Sequence, residues 1–81
     1  MNETLLFIIR HIVDHPDDVA IVESRENDRM IFTLHVHHED MGKVIGKQGR
    51  IIRAVRDLVK LMAAKERVYA DVVLSEEEKT V

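Results

Sequence analysis

Val44-Ile45-Gly46-Lys47-Gln48-Gly49-Arg50-Ile51-Ile52 is the stretch on which the reading of the whole chain turns. Two glycines three residues apart, set between two short apolar helical patterns, predict a tight turn at positive φ with no Cβ to intrude. The amides that open the helix starting at Arg50 point outward and carry the positive end of its dipole. Such a terminus favours an anion, and phosphate is the common biological one. Lys47 at the tip adds mobile positive charge, as do Arg50 and Arg53 one helical turn apart. Gln48 can hydrogen-bond a sugar or phosphate oxygen without adding charge.

Upstream of this stretch, Asn2 reads as an N-cap with Glu3 in the first turn. Leu5, Leu6, Ile9, Ile12 and Val13 then recur at helical spacing. His15-Pro16 should end that helix, because proline disfavours the helical conformation of the residue before it. Val19 to Ser24 is rich in β-branched residues, and Arg25 to Arg29 is polar with turn chemistry at Asn27-Asp28. Met30 to His37 alternates strictly, with Met30, Phe32, Leu34 and Val36 on the face expected to be buried. Asp40 is placed to cap a short helix over Met41 to Ile45.

Downstream, Ile51, Val55, Leu58 and Met62 form the expected core line of a helix from Arg50 to about Ala64. Val68, Ala70, Val72 and Leu74 alternate as a last strand. The order is α-β-β-α-α-β. A hairpin makes the first two strands antiparallel, and a right-handed crossover leaves the second and third parallel. The expected architecture is α+β, a three-stranded mixed sheet with one face covered by three helices. One domain over residues 1–75 is expected, followed by an acidic, frayed tail at 76–81.

The loop resembles the I-G-x-x-G-x-x-I signature of KH domains, here Ile45-Gly46-Lys47-Gln48-Gly49-Arg50-Ile51-Ile52. The element order resembles their type II arrangement. His15-Pro16-Asp17-Asp18-Val19 and Glu39 to Arg50 extend the likeness to the KhpA family of small bacterial single-KH-domain proteins, over roughly Leu5 to Leu74. The resemblance implies that the G-x-x-G loop clamps the backbone of about four single-stranded nucleotides over an aliphatic groove. Carried onto this chain, the RNA-binding set is Lys43, Ile45, Gly46, Lys47, Gln48, Gly49, Arg50, Ile52 and Arg53, with residues near Val36 on the groove floor. The family also implies an RNA-chaperone or post-transcriptional role, with a link to cell elongation and envelope homeostasis. It implies association as a homodimer or with a larger, Jag-like KH protein.

Composition agrees with a small binding module. The chain has 81 residues, 46% hydrophobic and 33% charged, with only three aromatics (Phe7, Phe32, Tyr69), too few for a stacking platform. No cysteine is present, which excludes disulfides and thiolate metal sites. The longest apolar run, Leu5 to Ile9, is too short to cross a bilayer, so no membrane partner is expected and the location reads as cytoplasmic. The net charge is −3, but it is segregated: residues 43–67 hold eight bases and two acids, a local +6, and the remainder carries −9. At a Debye length of about 8 Å, distant acids repel phosphate only weakly.

Other chemistries find little support. Serines are limited to Ser24 and Ser75, the loop lacks the G-K-[ST] of a P-loop, and no nucleophile meets a base, so no catalytic residue, cofactor or enzyme activity is expected. His35, His37 and His38 cluster, yet a specific metal site needs three or four supported ligands, so no metal site is expected. The apolar positions of the Arg50 helix span about 200°, wider than a surface helix needs. The excess lies at Ile52, Val59 and Ala63 on one edge or Ala54 and Leu61 on the other, and is expected to meet a second protein surface. Two further functional classes share these residues: a dimerisation subunit with little RNA contact, and a ribosome-associated assembly factor.

Overall fold

The computed structural model describes residues 1–75 of the chain. Helix α1 spans Asn2–Arg10, strand β1 Ala20–Glu26, strand β2 Arg29–His35, helix α2 Met41–Ile45, helix α3 Arg50–Lys65 and strand β3 Tyr69–Leu74. Short 3-10 turns at Pro16–Asp18, His38–Asp40 and Lys47–Gly49 join them. The sheet order is β1-β2-β3, with β1 antiparallel to β2 and β3 parallel to β2. This is the mixed sheet that the element order predicts. The expected tail at 76–81 lies outside the described residues.

The core forms where helices cover the sheet. Phe32 and Leu34 of β2, Ala70, Val72 and Leu74 of β3, Leu5 and Ile9 of α1, and Met41 and Val44 of α2 are buried together. Val36 lies beyond the end of β2 and is half-buried. The β1–β2 hairpin is longer than its polar sequence suggests. Its pairing runs to Glu26 and Arg29, leaving only Asn27-Asp28 as the turn, with Asn27 left-handed at φ 57. Charged side chains at Glu23, Arg25 and Glu26 are tolerated because β1 is an exposed edge strand, and charge there discourages pairing with another sheet.

Two boundaries of α1 differ from expectation. The helix begins at Asn2 with Met1 as N-cap and no side-chain cap. It ends at Arg10, well before His15-Pro16. The amides of Asp14 and His15 are bound by the carboxylate of Asp40, at 3.1 and 2.9 Å, and so cannot continue a helical ladder.

The largest correction concerns the faces of α3. Its buried line is Ile52, Val55, Val59 and Ala63, while Ile51 and Leu58 are exposed and Met62 is half-buried. The expected line of Ile51, Val55, Leu58 and Met62 is therefore turned by about one residue. Both lines obey the same periodicity, and only the packing against β3 selects between them. Ile52 is 6% exposed and Val59 and Ala63 each 1%, so this edge fills the domain's own core and is closed to a partner protein. The outward apolar strip consists instead of Ile51, Ala54, Leu58 and Leu61, with Leu61 69% exposed. On the opposite flank of the core line stand Arg53, Arg56 and Lys60, of which Arg56 reaches Val72 on the free edge of β3, while Arg50 points away from the core at the helix start.

Helix α3 closes with its chain reversed by Arg67. The amide of Val68 donates to Ala63 O and that of Arg67 to Ala64 O, each at 3.0 Å, a Schellman cap. Arg67 occupies the left-handed position of that cap at φ 61, where glycine is usual. A side chain there costs about 1 kcal/mol.

Candidate nucleic-acid interface

Two glycines shape the loop, for different reasons. Gly46 has φ 74 and ψ 175, a region essentially closed to side chains. A Cβ there would also lie 2.6 Å from Cγ1 of Ile51. Gly49 has φ 73 and ψ 17, an ordinary left-handed cap, and a Cβ would meet nothing within 4 Å. Between them Gln48 is itself left-handed at φ 57, a conformation that glutamine seldom takes. The exposed tip is thus held in a strained shape.

The hydrogen bonds leave the loop open to a ligand. Gly46 N donates to Gly42 O, Gly49 N to Gly46 O and Arg50 N to Lys47 O. Among the described residues, the amides of Lys47 and Gln48 reach no backbone carbonyl. Gly49 offers no side chain to cap α3, and the first turn of that sixteen-residue helix holds no acid. Its dipole is uncompensated from within the chain, and the open amides are those of Lys47 and Gln48 just before it. Lys47, Gln48, Arg50 and Arg53 are all exposed around this point.

The other sequence-derived site residues divide. Ile45 is half-buried beside the loop and accessible to a ligand. Ile52 is withdrawn into the core and does not line an open groove. Lys43 is exposed, but its Nζ lies 3.0 Å from Oδ2 of Asp14, and that carboxylate raises its pKa. Arg56, which the loop motif does not reach, donates from Nε to Val72 O at 3.0 Å. Asp71 Oδ1 accepts the Val72 amide at 2.8 Å, so side chains occupy both peptide groups of Val72. The spacing of Arg50, Arg53, Arg56 and Lys60 along one helix was the available signal for this longer basic face.

The opposite end of α2 is anchored by a cluster that sequence reading missed. Asp40 is 1% exposed, and it does not cap α2 with its side chain. Its carboxylate accepts from the amides of Asp14 and His15 and pairs with Nδ1 of His15 at 3.0 Å. The His15 ring stacks on His37, with centroids 4.0 Å apart. The hydrogen bond to Asp40 raises the pKa of His15, against the opposing effect of burial. Burial alone would raise the pKa of Asp40, but the amides of Asp14 and His15 and the imidazole outweigh it and the pKa is lowered.

His15, His37 and Glu39 bring potential metal-ligand atoms within 4.8 Å of one another. The two imidazole planes are nearly parallel, at 14°, so their in-plane lone pairs do not converge on one ion. Nδ1 of His37 also accepts the Glu39 amide at 3.0 Å. The arrangement is a clasp that fixes α2, not a set of metal ligands.

A helix pair joined by a G-x-x-G turn, on a β1-β2-β3 sheet with β3 parallel to β2, defines a type II KH domain. The family described as KhpA/KhpB, KH domain matches residues 2–74, and the chain belongs to it. That family is one of KH domains and not of enzymes. Relatives named RNA-binding protein KhpA are similar over most of their length. The one from Caldanaerobacter subterraneus subsp. tengcongensis is 47% identical over 75 residues, covering 90% of this chain and all of the relative. The one from Listeria monocytogenes serovar 1/2a is 46% identical over 65 residues, covering 80% of this chain and 86% of the relative. The one from Chlamydia pneumoniae is 39% identical over 77 residues, covering 95% of this chain and 99% of the relative. No solved structure matches the chain. Among the described residues, no helix is long and apolar enough to cross a membrane.

Proposed function

We propose that this domain binds single-stranded RNA by its phosphates at the Gly46–Gly49 loop. The observation that carries the reading is a pair of unpartnered amides, Lys47 and Gln48, at the head of an uncapped helix lined with arginine. An anion there meets backbone donors, the dipole of α3 and the side chain of Lys47 together. Arg50 and Arg53 guide the next phosphates, and Ile45 offers an apolar surface to a base. The names of the relatives support RNA as the ligand. A cytoplasmic RNA-chaperone or post-transcriptional role suits a module that grips the backbone and reads little sequence.

The test is fluorescence anisotropy with a short single-stranded RNA across a salt series. Affinity should fall with a slope of about −0.7 per phosphate neutralised, so about −2 for three contacts. A salt-independent interaction would contradict a phosphate clamp.

The strip Ile51, Leu58 and Leu61 supports a second element of the reading, association through the outer face of α3 with a second copy or a larger, Jag-like KH protein. Two linked domains raise the effective concentration of a weak binder. Leu61→Asp should make the protein monomeric in sedimentation and leave the fold intact, since Leu61 contributes little to the core. A dimer that survives the change contradicts this surface.

A further inference from the structure

We propose that the concavity at the α3–β3 corner is a second RNA contact, which takes a phosphate and a stacked base from a strand entering at the Gly46–Gly49 loop. The proposal rests on the RNA-binding reading of that loop and extends it along the length of α3.

The corner holds a cavity of about 580 Å³ with Arg29, Lys60 and Arg67 on its walls and Ala63 and Ala70 beneath them. None of these three cations makes an ion pair among the described residues. The one acid of the lining, Asp71, commits Oδ1 to the Val72 amide. Unpaired cations gathered around a concave surface form an anion site. Tyr69, 73% exposed, stands at the rim and presents a ring on which a base can stack.

Arg67 gives the cavity its character. The left-handed cap position it holds is one that glycine fills without strain, so the modest attraction of a cation to the C-terminus of α3 only offsets the cost of a side chain there. Arg50, Arg53, Arg56 and Lys60 lie along α3 between the loop and this cavity, four cations against the single exposed acid Asp57 at the outer edge of that flank. Glu26 and Asp28 line the adjoining hairpin surface on the far side of Arg29 and Tyr69, and they end the positive path.

Distance makes the proposal testable by RNA length. Helix α3 is about 24 Å long, roughly seven phosphates of a strand stacked at about 3.4 Å per residue and fewer of an extended single strand. An RNA that fills only the loop cannot reach the corner, whereas one about three times as long can. Anisotropy is measured with fluorescein-labelled oligouridylates of about five and about twelve nucleotides. Wild-type protein should bind the long one more tightly and with a salt slope steeper by about 0.7 to 1.4.

Arg67→Gly, and separately Arg29→Ala with Lys60→Ala, should weaken the long RNA by roughly three- to tenfold and the short one less than twofold. Arg67→Gly should melt at the same temperature as wild type or higher, because glycine suits the cap. Tyr69→Ala should weaken the long RNA, and Tyr69→Phe should restore it. Arg10→Ala, on α1, removes an equal charge elsewhere and should change neither. The proposal is overturned if the corner variants bind the long RNA like wild type, if they weaken both RNAs equally, or if Arg10→Ala has the same effect. If Lys47→Asp with Gln48→Asp leaves both RNAs bound while Arg67→Gly weakens the long one, the loop reading fails and the corner contact stands. Wild-type protein that binds neither RNA overturns both.

Discussion

At one end of α2 Asp40 is buried with its acceptors filled by two amides and an imidazole, whereas at the other end Lys47 and Gln48 are exposed with amides that no carbonyl takes. Only the five residues of α2 and Gly46 separate these arrangements. A helix this short has no stability of its own. It is held by the clasp at one end and by Val44 in the core, and those constraints let its other end carry a strained turn. The satisfied end fixes position, and the unsatisfied end is available for a ligand.

The sharpest way to break this contrast is at its hinge. Gly46→Ala places a methyl group 2.6 Å from Ile51 and forces alanine into a glycine-only conformation. It should cost about 3 kcal/mol or more, measured by urea denaturation. Gly49→Asn should cost less than about 1 kcal/mol, because asparagine tolerates the left-handed region and nothing lies within 4 Å. Equal losses at the two glycines would show that they do not have separate roles.

Removing the clasp should have the next largest effect. Asp40→Ala strands two amides and an imidazole in a part-buried setting. The melting temperature should fall on the order of 10 °C.

The clasp also predicts a pH dependence. The pKa of His15 is raised above 6.5, so its contribution is complete below pH 6.5 and is lost as pH rises through the folded value. The pKa of Asp40 is lowered below 3.8, so its contribution is present above that value and is lost as pH falls through the folded one. Melting temperature should therefore decline on the alkaline side of 6.5, and His15→Gln should flatten that decline. A slope unchanged by His15→Gln would remove His15 from the account.

The ends of α2 also differ in how far the sequence disclosed them. The loop could be read because glycines three apart with flanking isoleucines are local, and a local turn imposes its own φ values. Strand order and pairing could be read for a similar reason, since alternation at Phe32, Leu34, Ala70, Val72 and Leu74 marks one buried face. The Asp40 clasp could not, because its partners at Asp14 and His15 lie 25 or 26 residues away and a carboxylate before a helix looks like a cap. The faces of α3 could not either. An apolar arc about 200° wide admits several core lines. Selection of Ile52, Val55, Val59 and Ala63 depends on where β3 lies, which no local pattern specifies.

The smallest expected effect separates the third glycine from the other two. Gly42 is helical, and a Cβ there would meet nothing within 4 Å. Gly42→Ala should stabilise the fold by about 0.5 to 1 kcal/mol and leave RNA affinity unchanged. A loss of stability would mean that Gly42 serves the loop as Gly46 does.

The central claim is that the open end of α2 is a phosphate clamp, and replacing Lys47 and Gln48 together with aspartate tests it most directly. The change puts two negative charges where a phosphate should sit, keeps both glycines, and touches no buried group. Like charges about 4 Å apart at an effective dielectric near 20 repel by roughly 4 kcal/mol before salt screening. Anisotropy with a short single-stranded RNA should show affinity falling by about two orders of magnitude or more, with the melting temperature within a few degrees of wild type. Unchanged RNA affinity in a folded double variant would contradict the clamp and place the RNA on another surface of the domain.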